Sequence, residues 1–130
     1  MATPARVYHT QQVHYLRKSV AFDTPNIGSG VPMGTLPDGA IVVDLIAVVE
    51  TAFNAGTTNV LVVGTASNDD ALIDASGVTE ATPAGYRDDT GLGYVASGDT
   101  EVLVKYTQTG TAATTGAATI IVAYVPNNDG

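Results

Sequence analysis

AIVVDLIAVVETAFNAGTTNVLVVGT, residues 40–65, holds two runs of β-branched side chains joined by a short connection containing Asn and Gly. Val42, Val43, Ile46, Val48, Val49 and Thr51 crowd the first run. Branched side chains lose χ1 freedom against a helical turn and fit a pleated surface better, so this run reads as a strand. Alternation puts Ile41, Val43, Leu45, Ala47 and Val49 on one face, read as buried. Val42, Ile46 and Val48 share a mixed face with Asp44 and Glu50. Asn54, Ala55 and Gly56 tolerate or relieve positive φ, which predicts a hairpin loop and a return strand over Val60 to Val63. Ile41, Leu45, Val48 and Ala52 also keep helical spacing. Thr and Gly are abundant throughout, however, and the helix formers Leu, Glu, Lys and Arg are scarce, so the chain reads as all-β.

With 130 residues and 45% hydrophobic composition, one domain can bury its own core without staples. The absence of Cys excludes disulfides and thiolate metal sites and is compatible with a reducing compartment. MATPARVYHT lacks the apolar run of a secretory signal, and no segment is long and apolar enough to span a bilayer as a helix, so no membrane partner is expected. The net charge of −8 is unevenly placed. Through Lys18 there are three cations, Arg6, Arg17 and Lys18, and no acid; beyond it, Arg87 and Lys105 face all 13 acids. An acidic body repels phosphate backbones, so nucleic acid is not an expected partner.

Along the chain, residues 1–18 form a basic N-terminal arm with the start of the first strand, and residues 19–130 a single β-sandwich domain. Val13 to Phe22 reads as a strand whose apolar phase changes near Arg17, predicting a bulge or bend. Thr24 to Gly39 carries three prolines and four glycines, which predicts a loop with a short edge strand over Val31 to Leu36 and a turn at Pro37, Asp38 and Gly39. The acidic, glycine-rich stretch after Thr65 reads as surface loops with a short strand at Ala71, Leu72 and Ile73. Strand alternation resumes over Gly93 to Ser97 and Thr100 to Gln108. Gly110 to Gly116 reads as a loose hairpin connection, and Ala118 to Val125 as the last strand before Pro126. Seven to nine strands at this spacing predict an antiparallel β-sandwich, jelly-roll-like, with an extended N-terminal arm.

The chain offers few chemical sites. His9 and His14 fall on opposite faces of a regular strand and do not chelate one metal together. Asn68, Asp69, Asp70 and Asp74 form the densest acidic patch, without the spacing of an EF-hand, and read as a solvated loop, as do Asp88 and Asp89 beside Arg87. Gly28-Ser29-Gly30 and Gly91-Leu92-Gly93 lack the dinucleotide fingerprint and read as turns. No nucleophile-elbow Ser is present. No catalytic residue, cofactor or metal is assigned. The partner-binding residues expected in and beside the arm are Arg6, Tyr8, His9, His14, Tyr15, Arg17 and Lys18. Two other readings use the loops around Asp69 to Asp74 and Asp88 to Gly93: a carbohydrate-binding sandwich, and a small β-sandwich enzyme or calcium-dependent lectin.

GTLPDGAIVVDLIAVVETAFNAGTTNVLVVGT, residues 34–65, resembles a segment of small structural proteins of tailed bacteriophages, in which GTLP-G-A leads into V-V-E-T-A-F-N-x-G. Gly91 to Tyr94 and the closing strand fit less specifically. The resemblance implies a head decoration, or cement, protein: a jelly-roll or sandwich domain, often trimeric, on the outside of the capsid. It implies the major capsid protein as partner, a homo-oligomer, no catalytic residues, and location in the virion after synthesis in the bacterial cytoplasm; the alternative in the same virion class is a tail or fibre-associated sandwich with carbohydrate-binding loops.

Overall fold

A computed structural model describes residues 12–127. Its strands are β1 (His14–Ala21), β2 (Val31–Leu36), β3 (Ile41–Thr51), β4 (Thr58–Gly64), β5 (Ala84–Arg87), β6 (Thr100–Thr109) and β7 (Ala117–Val125), with no helix among the described residues. They form two antiparallel sheets, ordered β1-β7-β3-β5 and β2-β6-β4. Between the sheets lies one core, in which Val42, Leu45, Ala47, Val49, Ile120 and Val122 meet Leu36, Leu61, Val63, Val102, Val104 and Tyr106. Burial of apolar side chains on facing layers is what holds such a sandwich together.

Consecutive strands alternate between the sheets, and the pairs β1–β7, β2–β6 and β3–β5 nest inside one another. This is an antiparallel ribbon folded over on itself, the wrapping of a jelly roll. Where an eighth strand would lie beside β4, only Leu72 and Ile73 pair with Val63.

The expected hairpin is therefore not a hairpin, because β3 and β4 belong to different sheets. The reason is Phe53. Its side chain is 1% exposed and packs against Tyr106 with ring centroids 4.6 Å apart. A strand turning back at Asn54 would leave that ring in water and forgo about 1.5–3 kcal/mol of burial. The Asn54 side chain instead accepts from the Thr114 and Thr115 amides, and the Gly56 amide donates to the Thr111 carbonyl. Residues 110–116 likewise cross between sheets, from β6 to β7, and are not a hairpin either. There Gly116 adopts φ 147°, and a Cβ on it would strike the Phe53 ring.

The strand faces also differ from strict alternation. The β3–β7 register slips across Val43 and across Glu50. Before the first slip Val42 points into the core and Ile41 is 44% exposed; after it Leu45, Ala47 and Val49 are buried, and Val43 itself is 43% exposed. One extra residue reverses the phase, so the expected buried face holds from Leu45 onward and fails for Ile41 and Val43. Conversely, no bulge occurs near Arg17: β1 pairs with β7 without a shift from His14–Tyr124 to Ala21–Ala117. The expected β2 and β6 strands and the closing β7 strand are present, as is the turn at Pro37 to Gly39, where Gly39 takes φ 81°. Gly93 to Ser97 contributes only the Ile41–Val95 bridge, and β5 was not foreseen.

Phe53→Ala is expected to lower stability by about 3–5 kcal/mol in urea denaturation, as for other buried aromatic truncations. A loss under about 1 kcal/mol would show that the crossing does not depend on this ring.

Candidate functional site

Antiparallel partners point their side chains to the same side of a sheet, so the register defines the outer face of the four-stranded sheet. One row across it holds Ile41 with Val125 on one side and Val95 on the other, and Val13 lies one step before the His14–Tyr124 pair. The next row holds Tyr15, Ala123 and Asp44, with Val43 beside them at the bulge. A third holds Arg17, Ile121, Ile46 and Arg87, and a fourth Ser19, Thr119, Val48 and Gly85. Val13, Tyr15, Ile41, Val43 and Val95 are exposed, Tyr15 by 67%, while Ile46, Val48 and Ile121 are half-buried. Exposed apolar side chains gathered on one face are the usual material of interaction surfaces.

Charge is arranged around this face. Arg87 and Lys105 are neutralised within the body, by Asp44 and Asp69, each at 3.0 Å. Arg17 and Lys18 on β1 have no ion-pair partner among the described residues. His14 stacks on Tyr124 with ring centroids 5.6 Å apart. Thus His14, Tyr15, Arg17 and Lys18 lie together on β1, within the sheet, and the boundary at residue 18 falls inside that strand. Arg6, Tyr8 and His9 lie outside the described residues. Ile41 and Val43 were missed as surface residues because the alternation read from the sequence contains no signal for the Val43 bulge, and Val95 lies in a segment whose faces the sequence does not distinguish.

The acidic loops are occupied with their own backbone. The Asp88 carboxylate is buried and accepts from the Asp74 amide at 3.1 Å and from the Thr90 hydroxyl at 3.2 Å. Asp74 accepts from the hydroxyl and amide of Ser76, which hold its carboxyl below the usual carboxylate range. Asp69 pairs with Lys105 beside an open cleft of about 520 Å³ that also touches Ser29, Thr65 and Leu103. No group of three or more His, Asp or Glu is placed to hold a metal ion among the described residues.

Glu80 is the buried acid that no sequence pattern singled out. Its carboxylate accepts from the Leu61 amide at 3.0 Å, on the side of β4 facing away from β6, and its carbonyl accepts from the Phe53 amide. Burial pushes this carboxyl up from 4.5, against the pull of the Leu61 amide. Burial, with the Glu80 charge nearby, also pushes the Tyr106 hydroxyl up.

Neither a protein-family signature nor a curated relative matches the chain. Among solved structures it is similar to a chain of the capsid asymmetric unit of cyanophage Pam1, with a TM-score of 0.74 and 27% identity, covering 97% of this chain and 92% of that one. It shares its fold with a chain of the capsid of Helicobacter pylori bacteriophage KHP30, at a TM-score of 0.65 and 16% identity over 89% of each. It also shares it with a chain of the capsid of Ralstonia phage GP4, at 0.57 and 23% over 91% of this chain and 86% of that one. The resemblance read from residues 34–65 is thus matched in fold by chains of three phage capsid structures.

Glu80→Ala, which leaves the buried Leu61 amide without its acceptor, is expected to cost about 1–3 kcal/mol in urea denaturation. Glu80→Gln keeps an acceptor and removes the titration. Because the folded-state value of Glu80 is raised, the favourable contribution of its neutral form is full below 4.5 and is lost as pH rises through the folded value. Wild type should therefore lose stability relative to Glu80→Gln across that window, and parallel pH profiles would refute the assignment.

Proposed function

We propose that the chain is a bacteriophage virion structural protein that decorates the outer surface of the capsid by non-covalent, oligomeric binding, without chemistry of its own. The observation that carries this reading is the end-to-end similarity to a chain of the Pam1 capsid, at 97% and 92% coverage. A match of that extent makes the neighbour a chain of nearly this length, which suits a small subunit added to a shell. The apolar outer face of the four-stranded sheet supports association, either between copies or with the major capsid protein. The unpaired cations of β1, continued by Arg6 in the preceding segment, support contact with an acidic shell surface. A trimer is the favoured assembly, since copies grouped around a threefold position multiply individually weak contacts. Arg6, Tyr8, His9, His14, Tyr15, Arg17 and Lys18 are the proposed contact residues.

The test mixes purified protein with capsids assembled without it and measures co-sedimentation. Truncation must stop before His14, because β1 begins there. Wild type is expected to pellet, removal of residues 1–11 to weaken association, and Arg17→Glu with Lys18→Glu to weaken it by about tenfold or more with a steep salt dependence. Equal pelleting of all three proteins would remove the basic segment from the mechanism. Light scattering is expected to return three times the 13.2 kDa chain mass.

A further inference from the structure

A two-sheet sandwich has four edges, and here two are blocked and a third is short. On β4, the outward Leu61 amide is taken by Glu80, and Val63 is bonded on both its amide and carbonyl by Leu72 and Ile73. On β2, Pro32 has no amide to offer, and the register slips across Met33. On β5, only four residues pair. Short strands, prolines, bulges and covering loops are the ordinary means of stopping unwanted strand addition.

Among the described residues β1 has no proline, bulge or covering loop over most of its length; its own protection is charge, Arg17 and Lys18, which repels a basic strand and not an acidic one. The Phe22 amide donates to the Gly116 carbonyl, which continues the β1–β7 register, so the even-numbered residues of β1 bond to β7. The odd-numbered residues then turn their amides and carbonyls away from the sheet. At Ala21 both groups are satisfied locally, the amide by the Thr24 hydroxyl at 2.8 Å and the carbonyl by the Thr24 amide at 3.1 Å. At Tyr15, Arg17 and Ser19 no partner exists among the described residues, and all three residues are exposed. The result is an unbulged edge with three amide–carbonyl sets and two cations that have no partner among the described residues.

We propose that this edge, at Tyr15, Arg17 and Ser19, accepts an extended acidic segment of another virion protein as a fifth strand of the four-stranded sheet. The inference rests on the decoration reading and names how the shell is gripped. Charge selects the occupant. A second copy of β1 laid antiparallel with Arg17 opposite Arg17 would set the cations of both copies together, which is repulsive, and the β5 edge of a copy offers a strand of only four residues. A strand carrying Asp or Glu opposite Arg17 gains the ladder hydrogen bonds and a cross-strand ion pair together.

The experiment is hydrogen exchange of the full-length protein, free and bound to capsids assembled without it, read residue by residue after release. In the free protein the Tyr15, Arg17 and Ser19 amides should exchange fast and those of Leu16, Lys18 and Val20 slowly. On the capsid the first three should slow by at least about tenfold. Arg17→Pro, which removes one outward amide and leaves the bonds to β7 intact, should bind about tenfold more weakly. If wild type does not pellet with capsids, the decoration reading fails and this inference with it. If it pellets while those three amides still exchange as in the free protein, the edge is not the grip and only this inference falls. Protection of the same amides in capsid-free protein at high concentration would assign the edge to a second copy and overturn the acidic partner. Should Arg17→Pro fail to fold, the wild-type exchange pattern decides alone.

Discussion

β7 is the strand on which the whole arrangement depends. Its even-numbered residues bond to β1 and its odd-numbered residues to β3, so its backbone is satisfied on both sides, while Ala118, Ile120 and Val122 line the core. A strand this apolar is stable only when bracketed, because each unpaired buried amide would cost about as much as several favourable contacts return. Bracketing it by strands from the beginning and the middle of the chain places β2, β4 and β6 in the opposite layer and leaves β5 to extend the same sheet beyond β3. The nested wrapping follows from that requirement together with the inward pull of Phe53.

Much of this was legible in the residues. Branched side chains gave the strands, and the alternation read over Thr100 to Gln108 is present in β6, where Val102, Val104 and Tyr106 are the buried set. What stayed hidden was long-range in origin. Asn54, Ala55 and Gly56 satisfy the local rules for a hairpin, and nothing within six residues of them announces that Phe53 has a partner at Tyr106. The Val43 bulge is invisible for a similar reason: Ile41, Val42 and Val43 are all apolar, so the residues cannot say which of them faces inward. β5 is four residues of AGYR, too short and too small-sided to carry a pattern.

The candidate site was legible in charge and not in shape. Arg17 and Lys18 stood out as cations without neighbouring acids, and the structure leaves both unpaired among the described residues. The apolar half of the same face, at Ile41, Val43 and Val95, emerged only once register was known. The acidic loops show the reverse relation. Asp74 and Asp88 are conspicuous in sequence, yet their oxygens are bound to nearby amides and hydroxyls, and Glu80, an inconspicuous acid in the same region, is the one that closes a sheet edge.

The partnership of β1 with β7 has a consequence for how the molecule comes into being. During synthesis the ribosome delivers His14 early and Val125 more than a hundred residues later, so the first strand must wait, unpaired on its sheet side, until nearly all of the chain has emerged. Every nested pair outside β3–β5 carries a long closure in sequence, the topology that folds slowly and exposes apolar segments meanwhile. The carboxylates over the rest of the chain give the emerging bodies of separate copies like charge, which opposes their association until β7 arrives.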